Sequence, residues 1–377
     1  MKKIGITGQA GFVGNHLYTT LSLDETVELV SFKREYFDNP TALGRFVSQC
    51  DTIVHLAAMN RHEDQNVIYN TNLELVDKLI SSCIRQQVKP HILFSSSSQE
   101  TSDNLYGKSK KEGKAKLMNW ADTSGGKFTS MTIPNVFGPF GKPNYNSVVA
   151  TFCHKIAHGE IPEILNDSEL GLIYINELVQ LFINVIQNTL ETKAIGKNSY
   201  ELAIKPNHPK KVSEVLSLLN QYKSDYVENG VFPNLEDSFE KALFNTFRCY
   251  VPQEHYPVKY TKHTDPRGSF VEIARTQTSG QFSFSTTVPG ITRGNHFHSR
   301  KAERFAVISG KALIQLRKIG TKDIISYYLD GKEPSYVDMP IWYTHNIKNI
   351  GDEELITLFW INEPYNPIDP DTYFENV

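Results

Sequence analysis

The chain has 377 residues, 40% of them hydrophobic and 21% charged, with a formal net charge of -3. That is ordinary globular composition, long enough for about two domains on a prior of ~100–200 residues each, and its near-neutral charge gives no footprint for nucleic acid or an anionic membrane. Cys50, Cys83, Cys153 and Cys249 form no C-x-x-C pattern, which excludes a zinc knuckle or a dense disulfide framework and suits free thiols in a reducing compartment.

The opening apolar run stops at Gly8, too short for a secretory core, and no run reaches the ~20 apolar residues of a membrane helix, so a cytoplasmic location is expected. The run KIGIT reads as a first strand, and GNHLYTTLS as the helix after it. VELVSF and DTIVHLAA read as further strands, the second with the Val, Ile and Leu content of a sheet interior. NTNLELVDKLISSCIRQQ has helical spacing, PHILFSSSSQ is a strand ending in serines, and YGKSKKEGKAKLMNWAD is a long basic helix. This alternation predicts a doubly wound parallel α/β sheet. Residues 186–250 look mainly helical and are expected in the same lobe. YVPQEHYPVKY reads as a linker, and from Val258 short alternating runs separated by Gly, Asp and Pro predict an all-β barrel or sandwich. The expected domains are 1–255 and 256–377.

Gly8, Gly11 and Gly14 have the spacing G-x-x-G-x-x-G directly after the first strand. A tight turn there lets backbone approach a pyrophosphate and aims helix N–H groups at it. Phe12 and Val13 lie inside the turn and are expected at the cofactor. At the end of the second strand, Lys33 and Arg34 stand where an acid would bind the ribose hydroxyls of NADH, so the 2′-phosphate of NADPH is expected instead. Tyr106 and Lys110 are four apart and share one helix face. A nearby ammonium favours the phenolate, so Lys110 is expected to lower the pKa of Tyr106 and also to hold the nicotinamide ribose. Ser97, from the serine-tipped strand, is chosen to hold the substrate oxygen.

These motifs resemble the extended short-chain dehydrogenase/reductase family over roughly residues 1–250. The resemblance also rests on Asp51–Ala58, Asn70 and the PNVFGP stretch Pro134–Pro139. It implies that Asp51 lies near the adenine, that Leu56, Ala57 and Ala58 line the cofactor, and that Asn70 belongs to the site. It also implies a nucleotide-linked sugar as substrate, with Asn144, Tyr145 and Asn146 at it. One departure is YINE at Tyr174–Glu177, where the family often has YVDD.

In the β-rich part, His296 and His298 point to one face of a strand, Glu303 follows, and His345 begins a later strand. Three imidazoles and a carboxylate suit zinc, nickel, iron or manganese. The pattern G-x5-H-x-H-x4-E-x6-G followed by P-x4-H-x3-N resembles the cupin family, with Trp342 where its second motif often has glycine. A narrower resemblance, in Thr264–Glu272 and ITRGNHFH, is to 3,5-epimerases of 4-keto-6-deoxy nucleotide sugars. There the histidine matching His296 is the base, yet the cupin pattern makes His296 a metal ligand. A metal-bound nitrogen has no lone pair for a proton, so Lys301, Tyr343 and Asp265 stand as other candidates.

Over its whole length the chain resembles the bifunctional bacterial enzymes of UDP-N-acetyl-L-fucosamine synthesis for capsule and O-antigen. That resemblance implies C3 epimerisation of a UDP-linked 4-keto-6-deoxy amino sugar in the cupin, then NADPH-dependent C4 reduction, in a homodimer. Four protein ligands are the closed count of structural zinc, which favours a structural metal. A dTDP-ketosugar enzyme, a non-catalytic NADPH-binding sensor and a dioxygenase fusion remain as alternatives.

Overall fold

The structure is a computed structural model. It describes the backbone of residues 1–260, 263–265, 268–270, 274–276, 281–363 and 366–377, and the side chains of 1–260, 274, 284–363 and 366–377. By packing the chain divides into two units, one of 1–151 and 166–212, the other of 152–165 and 213–377.

The first unit alternates as expected: β1 (Lys2–Thr7), α1 (Phe12–Leu21), β2 (Val27–Val30), α2 (Pro40–Gln49), β3 (Thr52–His55), α3 (Gln65–Gln86), β4 (His91–Ser97), α4 (Leu105–Ser124) and β5 (Phe128–Ile133). Next come β6 (Asn135–Phe137), α5 (Val148–Ala157), which runs on into the second unit, β7 (Glu169–Tyr174), α6 (Ile175–Ile186), β8 (Lys193–Ala194), β9 (Ser199–Ala203) and β10 (His208–Lys211). The main sheet has the order β2-β1-β3-β4-β5-β9-β8, parallel except for β8. Parallel strands need helical crossovers, and helices on a sheet face bury the strands, hence Ile4, Ile53, Val54, Ile92 and Leu93 at 0% exposure. The strand β9 lies in a region expected to be helical; SYELA is short and carries its own acid, so its alternation is weak.

The helices α7 (Val212–Tyr222) and α8 (Ser238–Arg248), with the π-helical turn Lys223–Glu228 between them, pack with the β-rich part rather than with the sheet. The packing boundary therefore falls near residue 212, while the change from helical to alternating sequence pattern falls at 255/256. The remaining strands are β11 (Val231–Phe232), β12 (Val258–Lys259), β13 (His263–Asp265), β14 (Gly268–Phe270), β15 (Arg275–Thr276), β16 (Gln281–Thr287), β17 (Thr292–Phe297) and β18 (Glu303–Ser309). They continue with β19 (Lys311–Lys318), β20 (Ile324–Asp330), β21 (Ser335–Met339), β22 (Tyr343–Asn349), β23 (Leu355–Ile361) and β24 (Tyr373–Phe374). Two five-stranded sheets result, β12-β21-β18-β23-β16 and β20-β19-β22-β17-β24. Part of the expected linker is thus a strand, since Val258 and Lys259 pair with Tyr336 and Ser335. Among the described residues no helix is long and apolar enough to cross a membrane.

Within the second unit, Arg304 and Asp338 form a bidentate pair, Nε–Oδ1 2.7 Å and Nη2–Oδ2 3.0 Å, at 2% and 1% exposure. Tyr226 and Tyr256 also donate to Asp338, and the guanidinium lies 3.7 Å from the Tyr336 ring centroid. Tyr226 comes from the π-helical turn, so this cluster ties helix to sheet. Removing one member leaves a buried charge unpaired, at a cost of about 3–5 kcal/mol. Arg304→Met is expected to lower the urea midpoint of the second unit's transition, and Arg304→Met with Asp338→Leu to lower it less; equal losses would show that the unpaired charge is not the cause.

Candidate active site and metal centre

The glycine turn is built by close contact. Gly8 has φ +75°, and a Cβ on it would lie 2.7 Å from the Ala57 nitrogen. A Cβ on Gly14 would lie 2.2 Å from the Gly8 carbonyl oxygen. The turn therefore packs directly against Leu56–Ala57, and Leu56 N–H donates to the Thr7 carbonyl. No side chain caps the N-terminus of α1 at Gly11, so its first N–H groups, including those of Phe12, Val13 and Gly14, point out unclaimed by a cap. That cradle and those donors fit a pyrophosphate. Ala58 is exposed beside it, and Lys33 and Arg34 are exposed just after β2, Lys33 preceding a short 3-10 helix.

Asp51 is not at this site. It accepts the Lys3 N–H at 2.8 Å at the start of β3, five residues upstream of Gly8 along neighbouring β1. At 3.3 Å per residue it lies about 16 Å away, at the other end of the parallel sheet. The Asp of DTIVHLAA caps a strand start. Asn70 is exposed and lines a cleft of ≈ 660 Å³ between α2 and α3. Two residues on, about 200° round the helix, Asn72 is buried. Its amide accepts the Met59 N–H at 2.7 Å and donates to Ser109 Oγ and the Met59 carbonyl, both at 3.0 Å. The sequence signal was a polar residue on the apolar stripe Ile68, Val76, Leu79 and Cys83.

Ser97 ends β4, and α4 begins at Leu105 behind the cap of Asn104. Tyr106 hydrogen-bonds Ser97. Burial pushes the phenol up, against that bond. Lys110 is 3% exposed, donates to the Ser95 carbonyl at 2.9 Å and has its Nζ 5.8 Å from the Tyr106 ring centroid. Burial lowers Lys110 to about 8, with Glu100 opposing. The expected lowering of Tyr106 by Lys110 is thus corrected: burial dominates, and the ammonium is turned to a carbonyl. A phenol that stays protonated at neutral pH suits a proton donor. Asn144, Tyr145 and Asn146 sit by the loop after β3: Arg61 donates to the carbonyls of Asn144 and Tyr145 at 2.8 and 2.9 Å, and Asn146 donates to the Asn60 carbonyl. The YINE departure is absorbed locally, because Glu177 accepts the Tyr174 N–H at the start of α6 and pairs with His208 at 3.1 Å.

In the second unit the structure brings His296, His298, Glu303 and His345 together, with one ligand atom from each within 4.8 Å of the others. The three histidines come from one sheet and its margin, and Glu303 from the other sheet. A bulge at Gly294–His296 sets His296 directly opposite His345. Gly294 has φ +95°, and its Cβ would lie 2.9 Å from the His345 carbonyl oxygen, so only glycine permits this approach. The Nε2 atoms of His298 and His345 lie 3.0 and 3.2 Å from Glu303 Oε2, and these buried atoms have no hydrogen-bond partner. His298 Nδ1 donates to the Asp371 carbonyl and His345 Nδ1 to that of Tyr343, which in the neutral ring turns the Nε2 lone pair toward Glu303 and a shared ion. Burial lowers the His296 imidazole to about 4. Burial would raise Glu303, but its contacts with His298 and His345 hold it well below the carboxylate range. Burial would lower His298, but its contact with Glu303 raises it, so an arriving divalent transition metal would take the place of a proton between these two residues.

Trp342 has φ +60°, the left-handed conformation glycine takes freely, at the position where the cupin pattern often has glycine. Its backbone N–H donates to the His298 carbonyl at 2.8 Å, and its ring lies 5.5 Å from that of Phe297. Lys301 is 2% exposed and donates to the Pro370 carbonyl, while Tyr343 is half-buried beside His345. The side chains of Asp265 and of the rest of the Thr264–Glu272 stretch lie outside the described residues.

A family model described as NAD dependent epimerase/dehydratase family matches residues 4–196. The chain belongs to that family. It is a nicotinamide-dependent oxidoreductase fold followed by a cupin-type β unit, and a Polysaccharide biosynthesis C-terminal domain model matches residues 263–373. A UDP-2-acetamido-2,6-beta-L-arabino-hexul-4-ose reductase of Pseudomonas aeruginosa is 34% identical over 373 residues, 98% of each chain. The crystal structure of the capsular polysaccharide assembling protein of Staphylococcus aureus is 36% identical, with a TM-score of 0.62, over 100% of both chains. A spore coat polysaccharide biosynthesis protein of Bacillus subtilis matches 125 residues at 27%, which is 30% of this chain and 82% of that one.

Tyr106→Phe is expected to cut nicotinamide-dependent turnover by about 10²–10⁴ while cofactor binding persists. Asn72→Ala is expected to lower kcat by roughly tenfold, a cost of about 1.4 kcal/mol, and Asn70→Ala to leave it unchanged. Steady-state kinetics with fluorescence binding would check both, and the reverse ranking at 70 and 72 would restore Asn70 to the site.

Proposed function

We propose that this chain is a bifunctional nucleotide-sugar enzyme of UDP-N-acetyl-L-fucosamine synthesis for capsule. The observation that carries the reading is the full-length match to a hexul-4-ose reductase, on a chain that holds both a Ser-Tyr-Lys set and an imidazole cluster. The functional division follows the sequence pattern, with 1–255 as the reductase and 256–377 as the epimerase.

Chemistry orders the two steps. A C3 hydrogen is acidic only while C4 is a ketone, so epimerisation comes first. A base takes the C3 proton, the enolate is stabilised by positive charge, and the proton returns to the other face. The base is a group other than His296, whose lone pair belongs to the metal set. His296, His298, Glu303 and His345 hold one divalent ion, zinc by donor type, and their closed count favours a structural role. Reduction follows: Ser97 orients the C4 ketone, Tyr106 protonates the oxygen that forms, and Lys110 holds the ribose. NADPH supplies the hydride, with Lys33 and Arg34 at its 2′-phosphate. The enzyme is cytoplasmic. It pairs through the β unit, where Phe284 on the edge strand β16 and nearby Val288 are 67% and 57% exposed; sedimentation at the monomer mass would remove the dimer.

The decisive experiment incubates UDP-4-keto-6-deoxy-HexNAc in deuterated water with no cofactor, with NADPH and with NADH. Deuterium at C3 without cofactor, and oxidation of NADPH faster than NADH, are expected. Oxidation without label leaves a simple reductase. Activity on a dTDP-ketosugar alone keeps the chemistry and changes the substrate, and no reaction with any ketosugar favours a sensor.

A further inference from the structure

His298 and Glu303 are joined by the turn Ser299–Ala302, which crosses from one sheet to the other. A turn that carries a metal ligand at each end must be rigid, because each ligand's reach depends on it. Here the backbone N–H groups of its first three residues converge on one carboxylate, while that of Ala302 donates to Asn362 at 2.9 Å. Asp371 Oδ1 accepts the Ser299 N–H at 3.1 Å and the Ser299 hydroxyl at 2.7 Å. Asp371 Oδ2 accepts the N–H groups of Arg300 and Lys301, both at 3.0 Å. The same residue's carbonyl accepts His298 Nδ1–H. Asp371 is 2% exposed and has φ +42°, a conformation that Asp and Asn tolerate better than most residues.

The flanking chain holds Asp371 in place. Arg300 pairs with Asp369 at 2.7 Å and with Glu363 at 3.2 Å. Just beyond, Phe374 pairs with His296 and Tyr373 with Phe297 in the sheet. One short segment therefore touches His296, His298 and the turn that leads to Glu303.

We propose that Asp371 is the positioning residue of the metal centre. Its carboxylate fixes the turn between His298 and Glu303, and its carbonyl fixes the tautomer and ring plane of His298. It touches neither ion nor substrate. This rests on the reading that the four residues hold a metal.

The test measures zinc affinity of the full chain by competition with a chromophoric chelator, and the visible spectrum of the cobalt-substituted protein. Asp371→Asn keeps the left-handed conformation but leaves an amide NH₂ facing N–H donors. It is expected to weaken zinc binding about 10–100-fold and to shift the cobalt spectrum, as loss of an outer-shell partner does. The melting temperature measured in excess chelator reads the metal-independent cost of the lost hydrogen bonds, and affinity and spectrum are compared at a temperature where both metal-free chains are folded. Ser299→Ala, which removes one of the four donors, gives a smaller loss in the same direction and carries the test if Asp371→Asn does not fold. Wild-type affinity and spectrum in the variant that folds would overturn the proposal. Failure of the wild-type chain to bind zinc or cobalt would overturn the metal reading itself.

Discussion

The β unit depends on one close backbone approach, between Gly294 and the carbonyl of His345. A side chain at 294 would push the strands apart, and the bulge that follows would not form. That bulge is what turns His296 to face His345 rather than a residue further along. With the three imidazoles gathered on one side, Glu303 needs only the short turn from the other sheet to reach them. The donor set is thus a product of register, and register is set by a glycine that contributes no ligand atom.

The parallel sheet works by the opposite logic. There the geometry is set by direction: every β-strand that carries a site residue delivers it at its C-terminal end. Gly8 follows β1, Leu56–Ala58 follow β3 and Ser97 closes β4. Asp51 obeys the same rule in reverse, since it precedes its strand and so faces away. The binding crevice of such a sheet arises at that edge because only there do loops and helix N-termini come together.

This contrast explains what was legible in the residues alone. Strand and helix alternation, the glycine turn, the Tyr-x-x-x-Lys pair and the His-x-His spacing are local patterns, and each appears where its local physics puts it. For Asn70 a motif gives a neighbourhood while helix rotation decides which asparagine points inward, and it is Asn72 that is buried. Lys110 was expected to act on Tyr106 through charge, but its depth in the fold, which no spacing reveals, made burial the larger effect. Asp371 was invisible because its partners lie some seventy residues away in sequence. Trp342 shows the converse: the sequence marked it as a departure, and the backbone keeps the conformation of a glycine anyway.

Lys110 carries a consequence of its own. The ammonium is stripped of water in the folded chain before any ligand arrives. Its dehydration is therefore a cost of folding, and any ligand that used this cation would not have to dry it. A change that lets solvent reach Lys110 removes the desolvation that holds its ammonium at about 8 and returns it toward an ordinary lysine.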